Sequence, residues 1–125
     1  MAMIGHVKEV FEDDGQISCI LRTGNGVEVT AFVMGTSGAE FHPIPGDVAL
    51  CHTAGQEILI SAILHGDAST EPGESLVFAR NDSGDLVSSI HLKGDGSVVC
   101  SNYRGSLELK ANGQVSINGH LTVDP

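Results

Sequence analysis

The chain has 125 residues, 16 glycines, four prolines, few aromatics and a formal net charge of −10. That charge argues against nucleic acid or an anionic membrane surface as partner. No run of about 18 apolar residues offers a transmembrane helix. The glycine count and the lack of a long amphipathic run point to an all-β protein with many turns.

The opening residues, Met1-Ala2-Met3-Ile4-Gly5-His6, lack the charged-then-apolar layout of a signal peptide. Five strands are predicted in the first half. The first runs from Gly5 to Phe11 and is closed by the acidic turn Glu12-Asp13-Asp14-Gly15. The second, Gln16 to Arg22, puts Ile17, Cys19 and Leu21 on one face. Thr23-Gly24-Asn25-Gly26 is a hairpin turn, carried by its Asn-Gly pair. The third strand, Val27 to Val33, alternates Val27, Val29, Ala31 and Val33. A loop from Met34 to Gly46 ends in Pro43-Ile44-Pro45-Gly46. The fourth and fifth strands are Val48 to His52 and Glu57 to Leu64, with His65-Gly66 closing the set. Five short strands with the one long connection after the third suit a small OB-type barrel, though other small β-barrels and sandwiches share that strand count. OB barrels often hold single-stranded nucleic acid in basic grooves with stacking aromatics. Residues 1–66 carry only Lys8 and Arg22 against eight carboxylates, so that use is disfavoured.

Residues 67–74 read as a polar linker holding Pro72-Gly73. Ser75 to Arg80 is a strand, Asn81 to Asp85 a turn, and Leu86 to Leu92 another strand. A repeat starts there. Ser89-Ile90-His91-Leu92-Lys93-Gly94-Asp95-Gly96-Ser97-Val98-Val99-Cys100 and Ser106-Leu107-Glu108-Leu109-Lys110-Ala111-Asn112-Gly113-Gln114-Val115-Ser116-Ile117 match at a spacing of 17. Within each copy the apolar residues fall at every second position, the period of a strand with one buried face. Asp95-Gly96 and Asn112-Gly113 interrupt the alternation with residues that tolerate positive φ, which predicts strand, tight turn, strand. Leu121 and Val123 resume the alternation after Gly119. Ten positions thus form one apolar face: Ile90, Leu92, Val98, Cys100, Leu107, Leu109, Val115, Ile117, Leu121 and Val123. One chain has nothing of its own in this half to cover that face. Either the N-terminal half packs on it or further copies of the chain do.

The order of these phrases resembles a known family. A small barrel, then Pro-Gly-Glu-Ser-Leu-Val-Phe-Ala-Arg-Asn-Asp-Ser-Gly (72–84), Ile-His-Leu-Lys-Gly-Asp-Gly-Ser-Val (90–98) and Leu-Lys-Ala-Asn-Gly-Gln-Val-Ser-Ile-Asn-Gly (109–119) is similar to the baseplate assembly protein V family. These are the central spikes of contractile phage tails. Pro45-Gly46-Asp47 ahead of a strand and Ile63-Leu64-His65-Gly66 at the end of the last one fit as well, so the resemblance covers nearly the whole chain. It implies a homotrimer: an N-terminal OB domain at 1–66 seated on the tail hub, a linker at 67–74, and a β-helical prism at 75–125 that pierces the host outer envelope. The ten apolar positions would then form the trimer core. The protein would sit at the baseplate tip of the virion, after synthesis in the bacterial host cytoplasm.

Candidate sites are few. Spikes of this family often end in His-x-His pairs that hold an iron ion on the three-fold axis, and this sequence has no His-x-His. His120 stands alone near the end, where a three-fold axis would gather three copies, chemically enough for a metal. His91 alternates with Ile90 and Leu92 and should face the other way. Both are read as surface histidines, with no cofactor. Lys93 and Lys110 recur just before the two turns, as solubilising charges or partners for Asp95, Glu108 or Asp82 of a neighbouring chain. Cys19, Cys51 and Cys100 are widely spaced, with no C-x-x-C pair, and fit buried, reduced thiols. No nucleophile elbow or His-based pairing points to an enzyme. The tip at Val123, Asp124 and Pro125 ends abruptly, which favours a separate capping protein. Alternatives are the spike of a phage-derived injection machine, a tailocin or secretion system, and a small OB-fold binding module.

Overall fold

The computed structural model describes residues 2–35, 38–64 and 69–124. His65, Gly66, Asp67 and Ala68, expected to close the barrel and open the linker, and Pro125 at the tip lie outside the described residues. Among the described residues there is no helix. The chain divides into two compact units, Met1–Asp67 and Ala68–Pro125.

The first unit is a closed five-stranded barrel. Its strands are β1 (Ala2–Asp13), β2 (Gln16–Thr23), β3 (Glu28–Val33), β4 (Val48–Ala54) and β5 (Glu57–Ile63). Around the barrel they run β1-β2-β3-β5-β4, with β4 returning to β1. All neighbours are antiparallel except β3 and β5, where Phe32 and Val33 stand beside Leu59 and Ile60 in parallel. Each strand sends every second side chain inward. Val7, Cys19, Leu21, Ala31, Ala49, Cys51 and Ile60 form the buried core, with Met3, Val10, Val29, Val33, Phe41, Ile58 and Ile63 packed against it. Val27 does not join that face. It belongs to the turn ahead of β3, where its N-terminal neighbour Gly26 takes φ 76°, and it is exposed.

The long connection between β3 and β4 is anchored where it re-enters the barrel. Lys8 is an extra residue in β1, because pairing with β2 shifts between Val7 and Glu9. There Val7 N–H donates to the Asp47 carbonyl at 2.8 Å, and Gly46 N–H donates to the Val7 carbonyl at 2.9 Å. The Asp47 carboxylate, nearly buried, accepts Ile44 N–H at 3.0 Å. A bulge in one strand thereby locks the turn that launches another.

The second unit is an antiparallel sheet in which each strand pairs with the next: β6 (Ser75–Arg80), β7 (Leu86–Leu92), β8 (Val98–Asn102), β9 (Gly105–Leu109) and β10 (Val115–Asn118). The 17-residue repeat is the reason for this regularity. Leu92 stands opposite Val98 in the first copy as Leu109 stands opposite Val115 in the second. The turns match too. Lys93 N–H donates to the Ser97 carbonyl at 2.9 Å and Gly96 N–H to the Lys93 carbonyl at 3.1 Å. Lys110, Gln114 and Gly113 repeat this at 2.8 and 2.9 Å.

These are three-residue loops, a type I turn followed by a glycine in the left-handed region. Only Gly96 (φ 93°) and Gly113 (φ 88°) take positive φ, so Asp95 and Asn112 do not use the tolerance expected of them. They act through their side chains instead. Asp95 Oδ1 accepts the Ser97 N–H at 2.9 Å, and Asn112 Oδ1 accepts the Gln114 N–H at 3.0 Å. Such local bonding is what favours Asx residues in turns. The expected strand at Leu121 and Val123 is absent. Residues 120–124 carry no strand pairing: β10 is already an edge, and Gly119 leaves it at φ 146°.

Candidate interaction face of the C-terminal sheet

Register places the apolar repeat positions in two rows across the sheet. Val77, Ile90, Cys100, Leu107 and Ile117 stand opposite one another on successive strands, and Ser75, Leu92, Val98, Leu109 and Val115 form the neighbouring row. Paired residues in an antiparallel sheet share a face, with Cβ atoms close enough to touch. Eight of the ten sequence-selected positions are therefore collected on one side of one sheet. Leu121 and Val123 lie beyond β10 and are outside these rows.

This face is open. Val77 is 68% exposed and Val115 64%, while Ile90, Leu92, Leu107, Leu109 and Ile117 each expose between 46% and 49%. Val98 and Cys100 are partly covered. An apolar patch running across a whole sheet is more than scattered surface hydrophobes, and patches of this kind are typical of contact surfaces. A groove of about 780 Å³ runs beside it, with Ile90, Cys100, Leu107 and Ile117 among its lining and His120 contributing as well.

The opposite face is polar towards β10. Phe78, Ser89, Ser101, Ser106 and Asn118 make one row, and Ser89 and Ser101 hydroxyls meet at 3.3 Å. Leu76, His91, Val99, Glu108 and Ser116 make the next. His91 thus stands on the side away from Ile90 and Leu92, but it is not a free surface histidine. Its Nε2 lies 3.0 Å from Glu74 Oε1.

Glu74 is the residue that the sequence reading passed over as linker. Glu71-Pro72-Gly73-Glu74 forms a turn with Gly73 at φ 85°, closed by Glu74 N–H to the Glu71 carbonyl at 3.1 Å. The Glu74 carboxylate then gathers donors from both sides: Gly94 N–H at 2.7 Å, Glu71 N–H at 3.1 Å and His91. Its side chain is only 8% exposed. Those donors hold its pKa well below the usual carboxylate range, at about 2, with the Gly94 bond the largest cause, then Glu71 and His91. The Asp95 carboxyl is lowered as well, chiefly by the hydroxyl and N–H of Ser97.

Lys93 and Lys110 are exposed beside the two matching turns. Among the described residues no three His, Cys, Asp or Glu side chains are grouped to hold a metal, and His120 is exposed past the end of β10. The sequence around His120 holds no second histidine at His-x-His spacing. Cys19 and Cys51 are buried free thiols inside the barrel, whereas Cys100 is only partly covered. Burial raises both barrel thiols. Cys19 is pushed up to about 11, with Cys51 and Asp47 adding to the effect.

The fold and this surface define an all-β protein that joins a closed barrel to a one-faced apolar sheet. A scan of known protein-family models matches no part of the chain, and no curated protein matches it in sequence.

Proposed function

We propose that this chain is the central spike of a contractile phage-tail baseplate, a mechanical component and not an enzyme. The observation that carries the reading is the pair of apolar rows, Val77 to Ile117 and Leu92 to Val115, left open on one face of the second unit. In this reading three copies turn those rows inward and form a β-helical prism, so that each chain covers the other two. Full burial of an exposed side chain of this kind is worth roughly 1.5–3 kcal/mol, and association gains about half of that at each half-covered position. The strand order and the parallel β3–β5 closure of the barrel support reading it as OB-type, which suits the hub-docking domain of such a spike. The prism pierces the host outer envelope. Leu121 and Val123, exposed beyond β10, are the surface that a separate small partner would cover. The spike of a tailocin or secretion system uses the same physics, and the neighbouring genes distinguish it from a phage spike.

Molar mass in solution tests the assembly. Three times the 13.0 kDa of one chain is expected, whereas a monomer would favour a small binding module.

A further inference from the structure

The chain contains three Asn-Gly steps, at Asn25-Gly26, Asn112-Gly113 and Asn118-Gly119. Asn-Gly is the step most open to spontaneous deamidation, because glycine has no side chain to hinder attack by its own nitrogen. The reaction needs two things of the local structure. The asparagine carboxamide must swing back toward the chain, and the glycine N–H must be free to lose its proton and act as nucleophile. Hydrogen bonds to either group have to break first, and each broken bond is a barrier to be crossed.

The three sites differ in these two respects. At Asn112 both groups are held. Oδ1 accepts the Gln114 N–H at 3.0 Å, Nδ2 donates to Gln114 Oε1 at 3.3 Å, and Gly113 N–H donates to the Lys110 carbonyl at 2.9 Å. Asn25 occupies the equivalent place in its turn, where Gly26 N–H donates to the Thr23 carbonyl at 2.9 Å. Its carboxamide, however, has no hydrogen bond among the described residues, so one of the two groups is held. Asn118 ends the edge strand β10. Among the described residues no hydrogen bond holds its carboxamide, and none holds the Gly119 N–H. Asn118 is exposed in the single chain and shares its row with Ser106, at the rim of the groove that Ile90, Cys100, Leu107 and Ile117 also line.

We propose that Asn118 is a spontaneous deamidation site of the folded protein, ahead of Asn25 and far ahead of Asn112. The Gly119 nitrogen loses its proton to solvent base and bonds to the Asn118 side-chain carbonyl carbon. The carbon–nitrogen bond of the carboxamide breaks and ammonia leaves, giving a succinimide. Water then opens the ring at either carbonyl, yielding aspartate or isoaspartate. The product carries a new negative charge beside the open edge of β10, and the isoaspartate form reroutes the backbone through the side-chain carbon. The inference rests on the geometry of the single chain.

Peptide mapping by mass spectrometry after incubation of the folded, full-length protein in mildly alkaline buffer tests it, with a parallel sample unfolded in urea. In the folded sample Asn118 should convert several-fold faster than Asn112, with Asn25 between them. In urea the three should draw together, since the bonds that separate them are gone. Equal rates in the folded protein, Asn25 or Asn112 leading, or the same Asn118 lead in urea would each overturn the proposal.

Discussion

Glu74 and Gly94 are 20 residues apart in the chain, yet the Glu74 carboxylate accepts the Gly94 N–H at 2.7 Å. This bond ties the turn ahead of β6 to the turn that joins β7 to β8. The same carboxylate is held at about 2, against an ordinary glutamate value of 4.5. A carboxylate depressed in the folded state contributes stability above its unfolded pKa and loses it as pH falls through the folded value. The melting temperature of the second unit should therefore fall as pH drops from about 4.5 towards about 2. Glu74→Gln should lower stability at neutral pH and flatten that acid dependence. Thermal melts followed by circular dichroism across this window check both effects, and an unchanged acid slope would remove Glu74 as their source.

Leu109→Asp separates the assembled and isolated forms of the sheet. Leu109 is 47% exposed in one chain, so in a monomer the substitution should cost little. In the proposed trimer it would bury unpaired carboxylates, at a cost of several kcal/mol per chain. The expected outcome in sedimentation is loss of the trimer with the barrel still folded. A stable, soluble trimer of this variant would remove Leu109 from the core.

Deletion of Lys93 to Leu109 removes one 17-residue unit and joins Leu92 to Lys110. Val115 should then take the place opposite Leu92 that Val98 now holds. Each strand accounts for about 4.8 Å across the sheet, so a spike built this way should shorten by roughly 10 Å. Small-angle scattering of folded protein measures the change. Aggregation would show that the two copies are not interchangeable.

Gly96→Ala and Gly113→Ala force a side chain into the left-handed region, at φ 93° and 88°. Each should destabilise the second unit by about 1–2 kcal/mol. Neither meets a steric obstacle: the nearest atom to an added Cβ at Gly96 is 4.0 Å away, and nothing lies within 4 Å at Gly113. Urea midpoints of the two variants should therefore fall by similar amounts.

The C-terminal end is tested in intact particles. On the proposed spike reading, a small co-purifying partner and no bound metal are expected. One iron or zinc per trimer with no partner would instead make His120 a ligand.

The barrel was largely legible because alternation reports which side of a strand faces a core. Cys19, Leu21 and Ala31 lie fully buried where that alternation puts them. Val27 misled because periodicity cannot see that Gly26 has already begun a turn. The repeat likewise announced the rows around Ile90 and Leu107, since cross-strand register follows from turns of equal length. Glu74 was not legible. A carboxylate beside Pro-Gly reads as solvent-facing linker, and its donors become visible only when Gly94 and His91 are brought to it. Leu121 and Val123 keep the period of a strand, but β10 offers them no paired continuation.

The distribution of the three cysteines gives each unit its own chemical clock. Cys19 and Cys51 are sealed within the barrel with their thiols pushed towards the unreactive form, whereas Cys100 is partly uncovered in the sheet. A thiol reagent added in a short pulse modifies a sealed cysteine only while the surrounding structure is open. Labelling at Cys19 and Cys51 therefore times the opening of the barrel, and labelling at Cys100 times the uncovering of the apolar rows where the proposed association covers them. The native chain can report, without an introduced probe, whether its two units come apart together or in sequence.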